Sequence, residues 1–454
     1  MRIHFIAIGG SAMHNLAIAL AKKGYKVSGS DDVIFEPARS RLLKYGLMPD
    51  DEGWDSIKID EKLDAVILGM HARQDNPELL KAQEIGLKIY SYPEYVYEQS
   101  KNKIRVVIGG SHGKTTITSM IMHVLNCFGK DFDYLVGAQL KGFDTMVRLT
   151  ENAPVIIIEG DEYLASPIDR RPKFHLYKAN IAVLSGIAWD HINVFPTFEN
   201  YADQFRIFLD TIEKGGVLIY AENDPVLSKI VDEKSLSFRK QPYSLPERII
   251  SNGVTKLITK KGEVALEIFG DHNLLNLCAA KLVCKELGIS EDQFYIAISS
   301  FKGASKRLEL LGKNDITSIY KDFAHSPSKL KASISAVKSQ FPDRKLVAVM
   351  ELHTFSSLNK DFLGEYAGAM DEADEAIVFI DNKIFYQKRL EPYSESIVKQ
   401  SFDNTKLIFF NNFEKLERFL NNINFKGKNL LLMSSGNFGG IDLNKLKETI
   451  LSEG

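Results

Sequence analysis

Apolar residues along this chain gather into short continuous runs, each closed by glycine or by an acidic turn. Between the runs lie longer stretches whose apolar positions recur at helical spacing. The first hundred residues set the rhythm with "IHFIAIGG", the helical stretch "SAMHNLAIALAKKG" and then "YKVSGSD". Strand, helix and strand in that order predict a βαβ unit and a parallel sheet. From residue 101 the runs are "IRVVIGG", "PVIIIEGDE", "NIAVLSGIAWDH" and "GGVLIYAENDP". From residue 301 they are "KLVAVMELH", "DEAIVFI", "TKLIFF" and "NLLLMSSGNFGG". Runs that are apolar throughout are expected of strands covered on both faces, as in a parallel sheet between helices. The stretch "GDHNLLNLCAAKLVCKELG" reads as a helix ending at Gly288. No internal repeat or low-complexity linker interrupts the chain. The pattern therefore predicts an α/β protein of three domains, at 1–100, 101–300 and 301–454.

Composition supports several cores and narrows the partners. The 454 residues are 44% hydrophobic and 26% charged, enough apolar material for a core in each domain. A net charge of −2 and a pI near 6.6 point to neither nucleic acid nor a membrane surface as partner. Cys127, Cys278 and Cys284 form no CxxC pair and read as buried thiols in a reducing compartment. The N-terminal apolar run is short and enters glycines at once, unlike a signal peptide. No stretch approaches the ~20 apolar residues of a membrane span. The expectation is a cytoplasmic protein.

The chemistry centres on "RVVIGGSHGKTT", a predicted strand, glycine loop and helix. Gly110, Ser111, His112, Gly113, Lys114, Thr115 and Thr116 lie where backbone N–H groups at a helix start would favour an anion. Lys114 would place a point charge on nucleotide phosphates, and the Thr115 hydroxyl would reach Mg²⁺. The loop is shorter than the usual GxxxxGK[ST]. The alternative is a glycine turn with a chance lysine. Glu159 ends the next apolar run, and His191 follows another. In a parallel sheet, ligands bind beyond the carboxyl ends of strands, so these side chains could meet Thr115 around a metal. Separately, Glu159 could cap a helix and His191 could be an ordinary loop histidine.

Three further groups stand out. Gly9, Gly10 and Ser11 follow the first strand, and Asp31 lies ~20 residues on, where an acid would meet a ribose hydroxyl. The fingerprint is incomplete, and a plain tight turn is the alternative. Asn273 and Asn276 share a helix face, suited to a base edge or to capping. Arg307 and Asp322 could clamp a nucleotide or be surface charges.

Taken in order, "GGSHGKTT", "EGDEY", "WDH", "GDHNLLN", "KRLELLG" and "KDFAHSP" resemble the Mur ligase family across essentially the whole chain. The resemblance implies a Rossmann-like N-terminal domain for the UDP-sugar and a P-loop ATPase-like central domain with a parallel sheet. It implies a Rossmann-like C-terminal domain for the incoming peptide or amino acid. It implies an ATP-dependent, ADP-forming amide ligase of peptidoglycan metabolism with ATP as co-substrate. By resemblance, Lys114 and Thr115 hold the ATP phosphates and a first Mg²⁺, Glu159 serves that metal and His191 a second. Asn273 and Asn276 match adenine-side positions, and Arg307 and Asp322 match residues closing over phosphate and ribose. Gly9, Gly10, Ser11 and Asp31 fall in the UDP-binding part, and UDP-N-acetylmuramate is the implied acceptor of phosphate.

Four positions depart from the family pattern. Gly160 replaces a commoner alanine, Lys321 replaces the first of two aspartates, and Ser326 replaces a histidine. No lysine lies between Asp190 and Glu213 to be carbamylated. The segment "EGDEYLASPIDRRPKFHLYKA" and the ending "MSSGNFGGI" resemble the branch that adds L-alanyl-γ-D-glutamyl-meso-diaminopimelate. Arg170, Arg171 and Lys173 are then expected to read the carboxylates of that tripeptide, and the glycine loop 434–440 to offer it backbone N–H groups. The alternative branch takes L-alanine. His191 and His325 are the candidate general bases.

Overall fold

The computed structural model describes residues 1–189, 193–233, 238–304, 307–388 and 390–452. These residues cluster into two compact units. The first comprises Met1–Trp189, Val194–Ser244 and Ala279–Phe294; the second is made mainly of Leu245–Cys278 and Tyr295–Gly454.

The first unit holds two sheets. Strands β1 (Arg2–Ile6), β2 (Lys26–Ser30), β3 (Ala65–Leu68) and β4 (Ile89–Ser91) pair in the order β2-β1-β3-β4, all parallel. The predicted helix after β1 spans Ser11–Lys22. A seven-stranded sheet follows, from β5 (Ile104–Gly109), β6 (Asp133–Leu135), β7 (Val147–Arg148), β8 (Val155–Glu159), β9 (Ile181–Leu184), β10 (Val217–Ala221) and β11 (Arg239–Tyr243). Its order is β11-β10-β9-β5-β8-β6-β7, parallel except for the edge pair β6–β7. The apolar runs are buried as expected: Val106, Val107, Ile108, Ile156, Ile157, Ile158, Val183 and Leu184 have no exposed surface. Ile108 stands opposite both Glu159 and Val183, so the chain leaves β5, β8 and β9 at one carboxyl edge. That register places the candidate site.

In the second unit, β12 (Arg248–Ser251), β13 (Val254–Thr259) and β14 (Gly262–Leu266) form an antiparallel meander. This meander was not among the predicted elements, and it has a local cause. Asn252 and Gly253 both adopt positive φ, +51° and +71°, the two-residue turn that joins antiparallel strands. A six-stranded sheet contains β15 (Glu309–Lys313), β16 (Ser318–Asp322), β17 (Lys345–Glu351), β18 (Glu375–Phe379), β19 (Ile408–Phe410) and β20 (Lys428–Met433). Its order is β15-β16-β20-β17-β18-β19, with only β15 antiparallel. Leu346, Ala348 and Met350 of β17 join one core, while Val347 and Val349 join the core on the opposite face. That two-sided burial is why "KLVAVMELH" shows no polar alternation.

The helix Asp271–Glu286 forms as predicted, and Gly288 beyond it has φ +79°. Cys278 and Cys284 are buried, and burial pushes the Cys284 thiol far up. Cys127 corrects the expectation of three buried thiols: it is the last residue of its helix and is exposed. Among the described residues, no helix is long and apolar enough to cross a membrane.

Candidate active site

The loop after β5 turns through Gly110, at φ +114°, and Gly113, at φ +79°, into the helix Lys114–Cys127. A side chain at Gly110 would meet the Ser185 backbone nitrogen at 2.8 Å, so the tight loop needs glycine there. No side chain caps this helix start. Lys114 Nζ donates to the Gly110 carbonyl at 2.8 Å and to both Glu162 oxygens, at 2.9 and 2.6 Å. Burial alone would depress this ammonium, but the charges of Glu162, Asp161 and Glu159 outweigh it and hold the group above its ordinary range. Thr115 Oγ1 donates to Glu159 Oε1 at 2.7 Å, and the Gly137 N–H donates to Glu159 Oε2 at 2.7 Å.

Three expected partners therefore converge: Lys114, Thr115 and Glu159. Their chemistry suits a magnesium nucleotide. A hydroxyl and a carboxylate in contact are hard oxygen donors of the kind Mg²⁺ takes, and the charge of the neighbouring lysine fits a phosphate. His191 lies outside the described residues, as does Asp190. Ser111 and Thr116 are buried beside the loop, and the His112 carbonyl accepts from the Ser185 hydroxyl. Gly160 has a packing reason. An added Cβ would lie 2.9 Å from Val107 Cγ1 and 3.1 Å from Phe174 Cβ, and Phe174 is stacked on Phe208 with ring centroids 4.7 Å apart.

Sequence reasoning passed over Glu162, which lies inside the quoted "EGDEY" and is only 1% exposed. It also passed over Tyr201, whose hydroxyl lies 3.0 Å from Glu162 Oε1 and 2.9 Å from Ser111 Oγ.

The Gly9–Gly10 turn leads into the Ser11–Lys22 helix, again with no side-chain cap. Asp31 is buried and its carboxylate is occupied. It accepts from the Gly9 N–H at 2.7 Å, the Asp32 N–H at 3.0 Å and His71 Nε2 at 2.9 Å. Asp31 thus fixes the glycine turn. The His71 imidazole is raised above its ordinary range by the Asp31 hydrogen bond. His14 and Asn15, also passed over, hold this helix start in place. His14 Nδ1 lies 2.9 Å from the Gly10 carbonyl, and Asn15 Oδ1 accepts from the Met146 N–H at 2.9 Å.

Two of the cations expected to read tripeptide carboxylates are paired with carboxylates of the chain. Arg171 forms a fork on Asp169, with Nη2 to Oδ2 at 2.7 Å, and reaches Glu94 at 3.2 Å. Lys173 Nζ binds Asp161 at 2.6 Å. Arg170 and Arg171 line a groove of about 880 Å³ with Lys88, Tyr90, Tyr97 and His175, and no cradle residue borders it. In the loop 434–440 two backbone N–H groups are already taken. The Phe438 N–H donates to buried Glu351 at 2.9 Å, and the Gly436 N–H donates to Ser434 Oγ at 2.6 Å.

In the second unit, Asn273 Nδ2 donates to the Phe269 carbonyl at 2.9 Å, tying down its own helix start, and Asn276 is buried one turn on. Asp322 is buried and accepts from the Ser333 hydroxyl. The Arg307 guanidinium lies 5.1 Å over the Phe323 ring. His325 Nδ1 lies 2.9 Å from the Phe323 carbonyl. Half-buried His272 is lowered from its ordinary range by desolvation, against the pull of Asp322 and Asp271.

Three family models match consecutive parts of the chain. They are the Mur ligase family catalytic domain at 2–103, the Mur ligase middle domain at 108–284 and the Mur ligase glutamate ligase domain at 306–436. A curated relative from Sulfurihydrogenibium, named UDP-N-acetylmuramate–L-alanine ligase, is 30% identical over 447 residues, covering 96% of this chain and 95% of its own. The UDP-N-acetylmuramate–alanine ligase structure from Thermotoga maritima aligns at TM-score 0.68 and 20% identity, covering 100% of this chain and 98% of that one. The murein peptide ligase structure from Psychrobacter arcticus aligns at TM-score 0.65 and 22% identity, over 99% and 98%. At those identities the two structures speak for the three-domain α/β fold with a parallel central sheet. The tripeptide expectation is overturned: sequence relatives spanning nearly the whole chain are named for L-alanine.

Proposed function

The chain belongs to the Mur ligase family, ATP-dependent amide ligases that release ADP, and we propose that it joins L-alanine to the lactyl carboxylate of UDP-N-acetylmuramate. The observation that carries the ligase chemistry is the contact between Thr115 and Glu159 beside Lys114, at the carboxyl edge of a parallel sheet. The choice of amine rests on relatives that match 96% of the chain.

A carboxylate resists an amine because its oxygen is a poor leaving group. Transfer of the ATP γ-phosphoryl group to that oxygen gives an acyl phosphate. The amine then adds to the carbonyl, loses its proton, and expels phosphate as the amide forms. Lys114 would bring its charge to the transferring group, from a position already set by Glu162 and the Gly110 carbonyl. Thr115 and Glu159 would hold Mg²⁺, which when bound supplies positive charge to the phosphate oxygens. A second ion at His191 belongs to the same proposal. The sugar nucleotide is assigned to the Gly9–Gly10 turn, where an uncapped helix start favours an anion. On this reading, 1–100 carries the sugar nucleotide, 101–300 the ATP and 301–454 the amino acid.

Phosphate release with ATP and UDP-N-acetylmuramate, offering L-alanine and the tripeptide in parallel, tests the proposal. L-alanine should drive phosphate release and amide formation. Release with the tripeptide and none with L-alanine would refute the choice of amine.

A further inference from the structure

We propose that Tyr201 is a positioning residue of the phosphate cradle, acting through Glu162 on Lys114 and through Ser111 on the glycine loop. The inference rests on the reading of that loop as the ATP site. Tyr201 lies in the helix Phe198–Asp210, whose start is fixed by Thr197 accepting from the Asn200 N–H. Its side chain is fully buried, with its ring 5.6 Å from Phe195 and 5.2 Å from Phe205 between centroids. By position alone it is a core aromatic. Its hydroxyl, however, touches two groups of the cradle.

Donor counting gives the contacts one direction. The Ala188 N–H can only donate, and it donates to Ser111 Oγ at 2.8 Å. The Glu162 carboxylate can only accept, and it receives Tyr201 at 3.0 Å and Lys114 at 2.6 Å. The two hydroxyls between them, 2.9 Å apart, must then both point toward Glu162. The order is Ala188 N–H to Ser111 O–H to Tyr201 O–H to the carboxylate that holds Lys114. Ser111, Tyr201 and Glu162 are all at least 95% buried, so no member exchanges its partner for bulk water at no cost. Tyr201 is the link by which the loop, the residues after β8 and a helix outside the glycine motif set one lysine. Without its hydroxyl, Glu162 keeps Lys114 as its one side-chain donor among the described residues, and Ser111 loses the Tyr201 oxygen as acceptor.

Tyr201→Phe keeps the ring and its packing and removes the link. Hydrogen bonds to charged groups correspond to roughly tenfold effects or more. The expected result is kcat lower by about 10-fold, with KM for UDP-N-acetylmuramate and the melting temperature close to wild type. Phe205→Leu, which disturbs the same ring contact and leaves the hydroxyls in place, should keep kcat within about 2-fold. In a double-mutant cycle, Glu162→Gln should cost less in the Tyr201→Phe background than in the wild type, because the two share one path. Unchanged kcat in folded Tyr201→Phe overturns the proposal, as does an equal loss from Phe205→Leu. Thr115→Val separates the two readings. If Thr115→Val turns over normally, the ATP-site reading itself fails. If it is inactive while Tyr201→Phe is normal, only the role of Tyr201 fails.

Discussion

Glu159→Gln separates the metal site from the architecture around it. In the native protein, one Glu159 oxygen accepts from Thr115 Oγ1 and the other from the Gly137 N–H, each at 2.7 Å. Glutamine can satisfy both neighbours. Its carbonyl must face Gly137, because a backbone N–H can only donate, and its NH₂ then faces the Thr115 hydroxyl, which can accept. What is lost is the charge on the two bonds, about 1 kcal/mol each, or about 2 kcal/mol in all. Against a stability on the order of 5–15 kcal/mol, such a variant stays folded at assay temperature.

The effect on catalysis is of another size. Mg²⁺ prefers charged oxygen ligands, and a neutral amide beside the phosphates no longer balances the ion. Loss of one preorganised electrostatic partner typically lowers turnover by about 10²–10³-fold. The assay is phosphate release over a Mg²⁺ titration, with a melting curve on the same sample. The expected outcome is turnover reduced by at least about 100-fold, a Mg²⁺ requirement shifted to higher concentration, and a small change in melting temperature. Full turnover at an unchanged Mg²⁺ requirement would refute the assignment of Glu159 to the metal. A large melting shift with matching loss of activity would show that Glu159 acts only as a brace between Thr115 and Gly137.

Lys114→Ala should abolish turnover and also destabilise by about 3–5 kcal/mol, because it leaves Glu162 buried without its cation; in Lys114→Ala/Glu162→Gln, urea unfolding should recover most of the stability while activity stays lost. His71, raised by Asp31, contributes stability that is fully present below its unfolded value near 6.5 and is lost as pH rises through the higher folded value. Unfolding of wild type and His71→Ala should therefore differ most in acid and converge in alkali. His175 behaves oppositely: burial pushes it down to about 4, so the unfolded chain binds its proton first and stability falls as pH drops from about 6.5 toward 4. His175→Gln should flatten that part of the stability profile, and an unchanged acid slope would refute a neutral buried imidazole.

Lys114, Thr115 and Glu159 were legible because each sits where an apolar run ends. In a parallel sheet the run ends share an edge, so sequence-distant loops meet there without any long-range guess. The βαβ opening, the buried strands and the Asp271–Glu286 helix were legible for the same reason: each is dictated by local periodicity. The antiparallel meander was equally written in the chain, as the Asn252–Gly253 turn. It was overlooked because β12 and β14 are largely exposed and lack an apolar run to draw attention.

Charges behaved differently. The pattern shows that Arg171 and Lys173 are cations, but whether a cation is available depends on its partners. Asp169 lies two positions away, Asp161 twelve and Glu94 seventy-seven. Only the folded chain brings Glu94 to Arg171, so the ion pairs of this exposed arginine could not be read from the sequence. Tyr201 is the reverse case. A tyrosine on the apolar face of "FENYADQF" is indistinguishable in sequence from a phenylalanine filling the core, and its ring does fill the core. Its hydroxyl acquires meaning from Glu162 and Ser111, which lie thirty-nine and ninety positions away. Periodicity therefore finds the residues whose place is set by the sheet. It misses those whose role is set by which proton a neighbour can accept, and at this site the second kind of residue holds the lysine.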